Sequence, residues 1–206
     1  MSTPPLALVP VRDGVLPAGG AEAVAEALSA DPAARVLLIG SQLGTAAGDL
    51  AGLAPAVELA EVGDFAPGAW AQVLVPLVRS ATFTILPASP DGRDLAARLA
   101  AAADLPLLAG AMSVGADEVV VVHHGGRLQS SAHPSGPFVA TLQPGVRGVE
   151  QTAHHGNGDA ITAASLPLTL DPVADATVVE VEPPDAATMD LADAPRIVGG
   201  GAGLMR

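Results

Sequence analysis

The strongest constraint on the fold is an alternation of short apolar runs with alanine-rich helical segments through the first 110 residues. Most of the apolar runs lack inside–outside alternation, which is typical of strands buried on both faces of a parallel sheet. Strands are predicted at 6–11, 35–39, 57–62 and 81–86, and helices at 21–30, 45–53, 67–80 and 93–103, the last after a loop at 89–92. The pattern predicts an α/β fold: a Rossmann-like, doubly wound, mostly parallel sheet with helices on both faces.

Residues 110–150 show a different pattern. Three strands separated by turns are predicted there, at 118–122, 127–133 and 138–142. Short strands joined by turns are typical of antiparallel pairing, so we expect an antiparallel excursion added to the parallel sheet. Residues 151–176 are polar and contain glycine, and no element is predicted in them. One more strand is predicted at 177–181.

The charge balance and the lack of cysteine exclude several classes of function. The chain has 22 acidic and 9 basic residues, a net charge of −13, and would repel a phosphate backbone, so we expect no nucleic-acid binding. Without cysteine it has no disulfide and no thiolate chemistry. Its apolar runs are far shorter than the ~20 residues that span a bilayer, and its first residues lack a signal-peptide pattern. We expect a cytoplasmic protein without membrane insertion.

A glycine-rich segment at 197–203 is the most phosphate-like part of the chain. Two apolar residues precede glycines that would let a pyrophosphate approach backbone N–H groups closely, because no Cβ intervenes. The candidate cofactor-binding residues are Gly199, Gly200, Gly201 and Gly203. The alternative is a flexible terminal segment without a ligand.

A second candidate is the start of the helix that follows the strand at 81–86. Arg93, with Asp91 and Gly92, lies where open α/β sheets bind ligands, and helix N-termini attract anions. The favoured interpretation is a helix cap, in which Ser89 or Asp91 accepts hydrogen bonds from the first amides.

The five histidines suggest a metal site only weakly. They form the adjacent pairs His123–His124 and His154–His155, with His133 alone. Adjacent residues on a strand point to opposite faces, so each pair offers one ligand to a given site. We interpret them as solvated loop residues and expect neither a metal site nor a metal-dependent enzyme.

Three segments, in this order, carry a resemblance to a known family. They read TILPASPDGRDLAARLA at 84–100, GPFVATLQPG at 136–145 and LADAPRIVGGGAGL at 191–204. Together they resemble the N-terminal domain of an electron transfer flavoprotein alpha subunit. The chain departs from that pattern at Gly199, where the family has serine, and at Ala202, where it has arginine. Gln143 replaces another arginine, and the segment at 127–134, RLQSSAHP, retains little of the motif that the family has there.

The resemblance implies an electron carrier, not an enzyme. It implies residues 1–195 as the N-terminal α/β domain and 196–206 as the start of the linker and FAD domain, where the chain stops. The complete heterodimer would take electrons from dehydrogenases into FAD, and this part would serve assembly with the beta subunit. FAD would lie near Gly199, Gly200, Gly201 and Gly203 in the complete complex, although this chain alone is not expected to hold it. No residue is expected to act as acid, base or nucleophile.

Two further interpretations remain open from the sequence. The composition fits the variant of this family that is encoded beside mycofactocin redox systems. The alternative function, from another class, is a stand-alone α/β domain that binds an adenine nucleotide. It would be distinguished by a rise in melting temperature on addition of ATP or AMP.

Overall fold

The computed structural model describes residues 3–149, 161–176, 179–180, 191 and 196–201. The chain divides into two compact units, Met1–Asp175 and Ala176–Arg206. The named helices and strands all belong to the first unit. The predicted strand at 177–181 and the histidines at 154 and 155 lie outside the described residues, wholly or in large part. The predicted domain division after residue 195 stays a prediction.

The first unit alternates strands and helices in the order β1–α1–β2–α2–β3–α3–β4–α4 and then continues with five strands. The strands are β1 Leu6–Val11, β2 Arg35–Gly40, β3 Ala56–Glu61, β4 Thr84–Pro87, β5 Leu107–Val114, β6 Val119–His123, β7 Leu128–Ala132, β8 Val139–Leu142 and β9 Thr162–Ser165. The helices are α1 Gly20–Ala30, α2 Leu43–Asp49, α3 Pro67–Ser80 and α4 Pro90–Ala103. None of these helices is long and apolar enough to cross a membrane.

The nine strands form one sheet in the order β7-β6-β5-β8-β4-β1-β2-β3-β9. Neighbours are parallel from β5 to β9, and β6 runs antiparallel to both β5 and β7. The central strand β1 is buried along its whole length. The predicted class, a doubly wound and mostly parallel α/β sheet, is confirmed.

Helices cover both faces of the sheet because successive side chains of each central strand point to opposite sides. Ala7 and Val9 of β1 belong to the core under α1 and α2. Leu6 and Leu8 belong to the core under α3 and α4, which Trp70 fills from α3. All four β1 side chains are at most 1% exposed, so the strand has no solvated face and reads as a continuous apolar run.

Three details of the predicted arrangement are wrong. The segment at 138–142 is a strand, but β8 is inserted between β4 and β5 and is parallel to both, so the antiparallel excursion consists of β6 and β7. Strand β5 was not predicted, and neither was β9, which pairs with β3 at the other edge of the sheet. The residues at 90–92 form the first turn of α4 and not a loop.

Candidate functional site

The place where the sheet reverses its winding is the expected ligand site of such a fold. The chain moves from β1 outwards to β2 and β3, then returns through α3 to place β4 on the other side of β1. Ligands of open α/β sheets bind in the crevice at the carboxyl ends of two such strands. The residues that follow β1 and β4 therefore decide what this crevice can hold.

An ion pair bridges that crevice. Arg12 follows β1 and Asp91 lies in the first turn of α4, and two hydrogen bonds join them, Nε to Oδ2 at 2.5 Å and Nη2 to Oδ1 at 2.7 Å. The Arg12 guanidinium also lies over the ring of Phe65, 4.7 Å from its centroid. The hydrogen bonds that Arg12 donates to Asp91 raise the pKa of Arg12 against the opposing effect of desolvation. The ion pair therefore crosses the crevice in which open α/β sheets bind their ligands.

The N-terminus of α1 is also taken by the protein itself. In dinucleotide-binding folds the helix after β1 receives the phosphates. Here Gly19, in the left-handed region at φ +78°, precedes α1, and a Cβ on it would lie 3.4 Å from Pro144 Cγ. Glu22 of the first turn accepts a hydrogen bond from Gly145 N at 2.8 Å. A carboxylate and the chain after β8 therefore lie at the helix start that receives a phosphate in dinucleotide-binding folds. The adenine-nucleotide alternative stays a prediction.

The start of α4 is a helix cap, as favoured from the sequence. Ser89 Oγ accepts the hydrogen bond of Gly92 N at 3.1 Å, while Asp91 serves the ion pair with Arg12. Gly92 is required because a Cβ there would lie 2.0 Å from Pro87 O. Arg93 is exposed and has no acidic partner among the described residues. The cap explains Ser89 and Asp91 but leaves Arg93 without a structural role.

A cleft of about 340 Å³ lies beside Arg93, and we term it the β4–β8 cleft. It opens between the start of α4, the carboxyl end of β8 and the first half of the neighbouring strand β5. Gly110 N donates a hydrogen bond to Thr141 Oγ1 at 3.0 Å within it. Its lining residues are Ala88, Arg93, Leu107, Ala109, Gly110, Thr141, Gln143 and Pro144.

Several carboxylates accept hydrogen bonds from backbone N–H groups, a role that the sequence analysis did not predict. Glu61, at the end of β3, accepts hydrogen bonds from Gln42 N at 2.5 Å and Leu43 N at 3.1 Å, so it caps α2. Asp175 accepts one from Gly68 N at 2.5 Å, so it caps α3. The residues before these two helices provide no side-chain cap of their own. No local signal could reveal the second cap, because its partners are 107 positions apart.

The described histidines do not converge. His123 Nε2 lies 3.2 Å from Ser130 Oγ, and His133 Nδ1 lies 3.0 Å from the backbone oxygen of Asp117. His124 is exposed in the turn after β6. Within the part of the chain that the structure describes, no group of three or more histidine, aspartate or glutamate side chains is placed to hold a metal ion.

The described glycines of the glycine-rich segment are open to solvent. Gly199, Gly200 and Gly201 are exposed, and a Cβ on Gly199 or Gly201 would meet no atom within 4 Å. Gly203 lies outside the described residues. Bare backbone of this kind is compatible with the close approach of a phosphate group. The predicted cofactor contact stays a prediction.

The fold and site together define a doubly wound α/β domain whose sheet crevice is bridged by the ion pair of Arg12 and Asp91. The family model described as electron transfer flavoprotein domain matches residues 6–185, which is most of the chain. The chain belongs to the electron transfer flavoprotein domain family. No curated protein matches the sequence.

Proposed function

We propose that this chain contributes the N-terminal α/β domain of an electron transfer flavoprotein alpha subunit. Three motif segments support the alpha assignment, at 84–100, 136–145 and 191–204. The proposed domain is 1–195, and 196–206 leads into the linker and FAD domain. The complete complex pairs this subunit with a beta subunit, takes electrons from dehydrogenases in the cytoplasm and passes them on. The mycofactocin-associated variant is the form that the composition favours.

The observation that supports the proposal is that the protein's own side chains bridge the crevice at the carboxyl ends of β1 and β4. Arg12 and Asp91 bridge it, and Glu22 stands at the start of α1. A family domain whose sheet crevice is crossed by its own ion pair is suited to an assembly role, and in this proposal FAD is held elsewhere in the complex. The domain therefore needs no acid, base or nucleophile, and none is proposed.

Gly199, Gly200, Gly201 and Gly203 are the residues of this chain that we assign to FAD in the complete complex. The exposed backbone of the first three fits the requirement for a phosphate to approach N–H groups without a Cβ in the way. The flavin supplies the electron-carrying chemistry when bound, and protein residues bind and orient it.

Coexpression tests the proposed assembly. The tagged chain is purified alone and together with a beta subunit and a flavin-binding domain of the family. We expect the beta subunit to copurify at equal stoichiometry, with bound FAD present only in the complex. A Gly200→Val variant should reduce FAD content but retain the beta subunit, whereas Gly48→Val, in α2, serves as the matched substitution away from the segment. Failure of the wild-type chain to retain the beta subunit would contradict the proposal.

A further inference from the structure

The β4–β8 cleft combines hydrogen-bond donors with an absence of acids. Its lining includes arginine, threonine and glutamine side chains but no aspartate or glutamate. The lining therefore contrasts with the net charge of −13 of the chain as a whole. A local region free of carboxylates in so acidic a protein favours an anionic occupant.

Three donor groups line the cleft and are not used by the fold. Thr141 is 2% exposed, and its oxygen accepts the hydrogen bond of Gly110 N, so its own hydroxyl hydrogen remains to be donated. The amide nitrogen of Gln143 lies 3.3 Å from the position that a Cβ on Gly110 would take. Neither the Gln143 amide nor the Arg93 guanidinium has a hydrogen-bond acceptor in the described part of the chain. The first turn of α4 adds a positive helix end beside them.

The rest of the lining is apolar, so the ligand should also have an apolar part. Leu107 and Ala109 project from β5 on the α4 face, and Leu107 is 38% exposed, which is high for a strand leucine. One cation with two neutral donors suits a monoanion, and the net charge of −13 opposes a dianion such as phosphate. The volume of about 340 Å³ corresponds to a small ligand.

We propose that the β4–β8 cleft binds a short aliphatic carboxylic acid. The carboxylate forms an ion pair with Arg93 and accepts hydrogen bonds from the Thr141 hydroxyl and the Gln143 amide, while the alkyl chain packs on Leu107 and Ala109. This site is separate from the flavin assignment and does not depend on the proposed assembly.

Calorimetric titration of the full chain tests the site with butyrate, hexanoate, neutral hexanamide and inorganic phosphate. We expect hexanoate to bind more tightly than butyrate, by up to about fourfold for each added methylene. Hexanamide and phosphate should bind much more weakly. Arg93→Met should weaken hexanoate binding at least about tenfold, because it removes a charged hydrogen bond. Arg127→Met, which removes the same charge from the exposed turn before β7, should leave binding unchanged.

A second variant tests the site by a gain of affinity instead of a loss. Gln143→Arg adds a cation at the mouth of the cleft and should tighten hexanoate binding, and the far-ultraviolet circular dichroism of each variant verifies its fold. The proposal is overturned if hexanoate does not bind to the wild-type chain. It is equally overturned if Arg93→Met binds hexanoate as the wild type does, or if phosphate binds more tightly than hexanoate.

Discussion

Removal of the Asp175 carboxylate should destabilise the start of α3, and the size of the loss in the free energy of unfolding can be worked out from its contacts. Its side chain is 9% exposed, accepts the hydrogen bond of Gly68 N and lies 3.6 Å from the guanidinium of Arg98. Loss of a capping acceptor costs about 1 kcal/mol, and loss of a negative charge at the helix start costs about 0.3–1 kcal/mol more. We expect Asp175→Ala to lower the free energy of unfolding by about 2 kcal/mol and the melting temperature by about 4–8 °C.

Asp175→Asn separates the two contributions, because it keeps an acceptor and removes the charge. It should cost about 0.3–1 kcal/mol, less than the alanine variant, and the difference from wild type should shrink as salt is added. The assay is urea unfolding followed by circular dichroism, with the midpoint and slope compared between variants.

A double-mutant cycle tests the contact itself. A Cβ on Gly68 would lie 2.8 Å from Asp175 Oδ2, so Gly68→Ala should destabilise the wild type. In the Asp175→Ala background the clash is absent, and the better helix propensity of alanine, by about 1 kcal/mol, should make the same substitution neutral or stabilising. Gly48→Ala in α2, whose Cβ would meet nothing within 4 Å, should have one effect in both backgrounds. Additive effects of Gly68→Ala and Asp175→Ala would refute the reasoning.

Three further substitutions test other contacts by the same unfolding assay. Ser89→Ala removes the cap of α4 and should cost about 1 kcal/mol, whereas Ser89→Asp should retain most of the stability; no loss in the alanine variant would contradict the assigned cap. Glu61→Ala leaves two N–H groups at α2 without an acceptor and should cost about 1–3 kcal/mol, with a smaller loss for Glu61→Gln. Arg12→Met breaks a half-exposed ion pair and should cost less than about 1 kcal/mol. Because the pKa of Arg12 is raised, its guanidinium loses the stabilisation by Asp91 only as pH rises through the folded-state pKa. The cost of Arg12→Met should therefore not vary with pH near neutrality. A cost well above about 1 kcal/mol would show that the ion pair is a main support of the fold.

The central sheet could be predicted because its strands are buried on both faces and are written as unbroken apolar runs. Strand β1 was predicted with its observed ends, Leu6 and Val11, and α3 with its ends, Pro67 and Ser80. In both segments the residues that the sequence pattern predicts to be buried are the ones that the fold buries or packs against its core.

In the two strands that were not predicted, β5 and β9, the sequence pattern does not indicate the structure. Strand β5 reads LLAGAMSV, with small residues and a glycine at φ +76°, and its pairing is irregular between Leu108 and Ala111. Strand β9 reads TAAS and is exposed throughout, so no apolar pattern marks it. The position of β8 between β4 and β5 is a matter of strand order, which the hydrophobic pattern of one segment does not encode.

The candidate site was predictable only where its contacts are local. The Ser89 cap joins residues 3 positions apart and follows from the residue types. The Arg12–Asp91 pair joins residues 79 positions apart, and the β4–β8 cleft assembles side chains from three elements that meet only in the folded sheet. Such contacts depend on the order of the strands in the sheet. The sequence therefore predicted Arg93 as a candidate residue but not the cleft beside it.

The most direct test of the account is titration of the isolated, full chain with AMP and with FAD, followed by calorimetry. The account predicts no measurable binding of either, because the Arg12–Asp91 ion pair bridges the crevice and Glu22 lies at the start of α1. Stoichiometric binding of AMP or FAD to the isolated chain, abolished by substitutions at the carboxyl ends of β1 and β4, would contradict it.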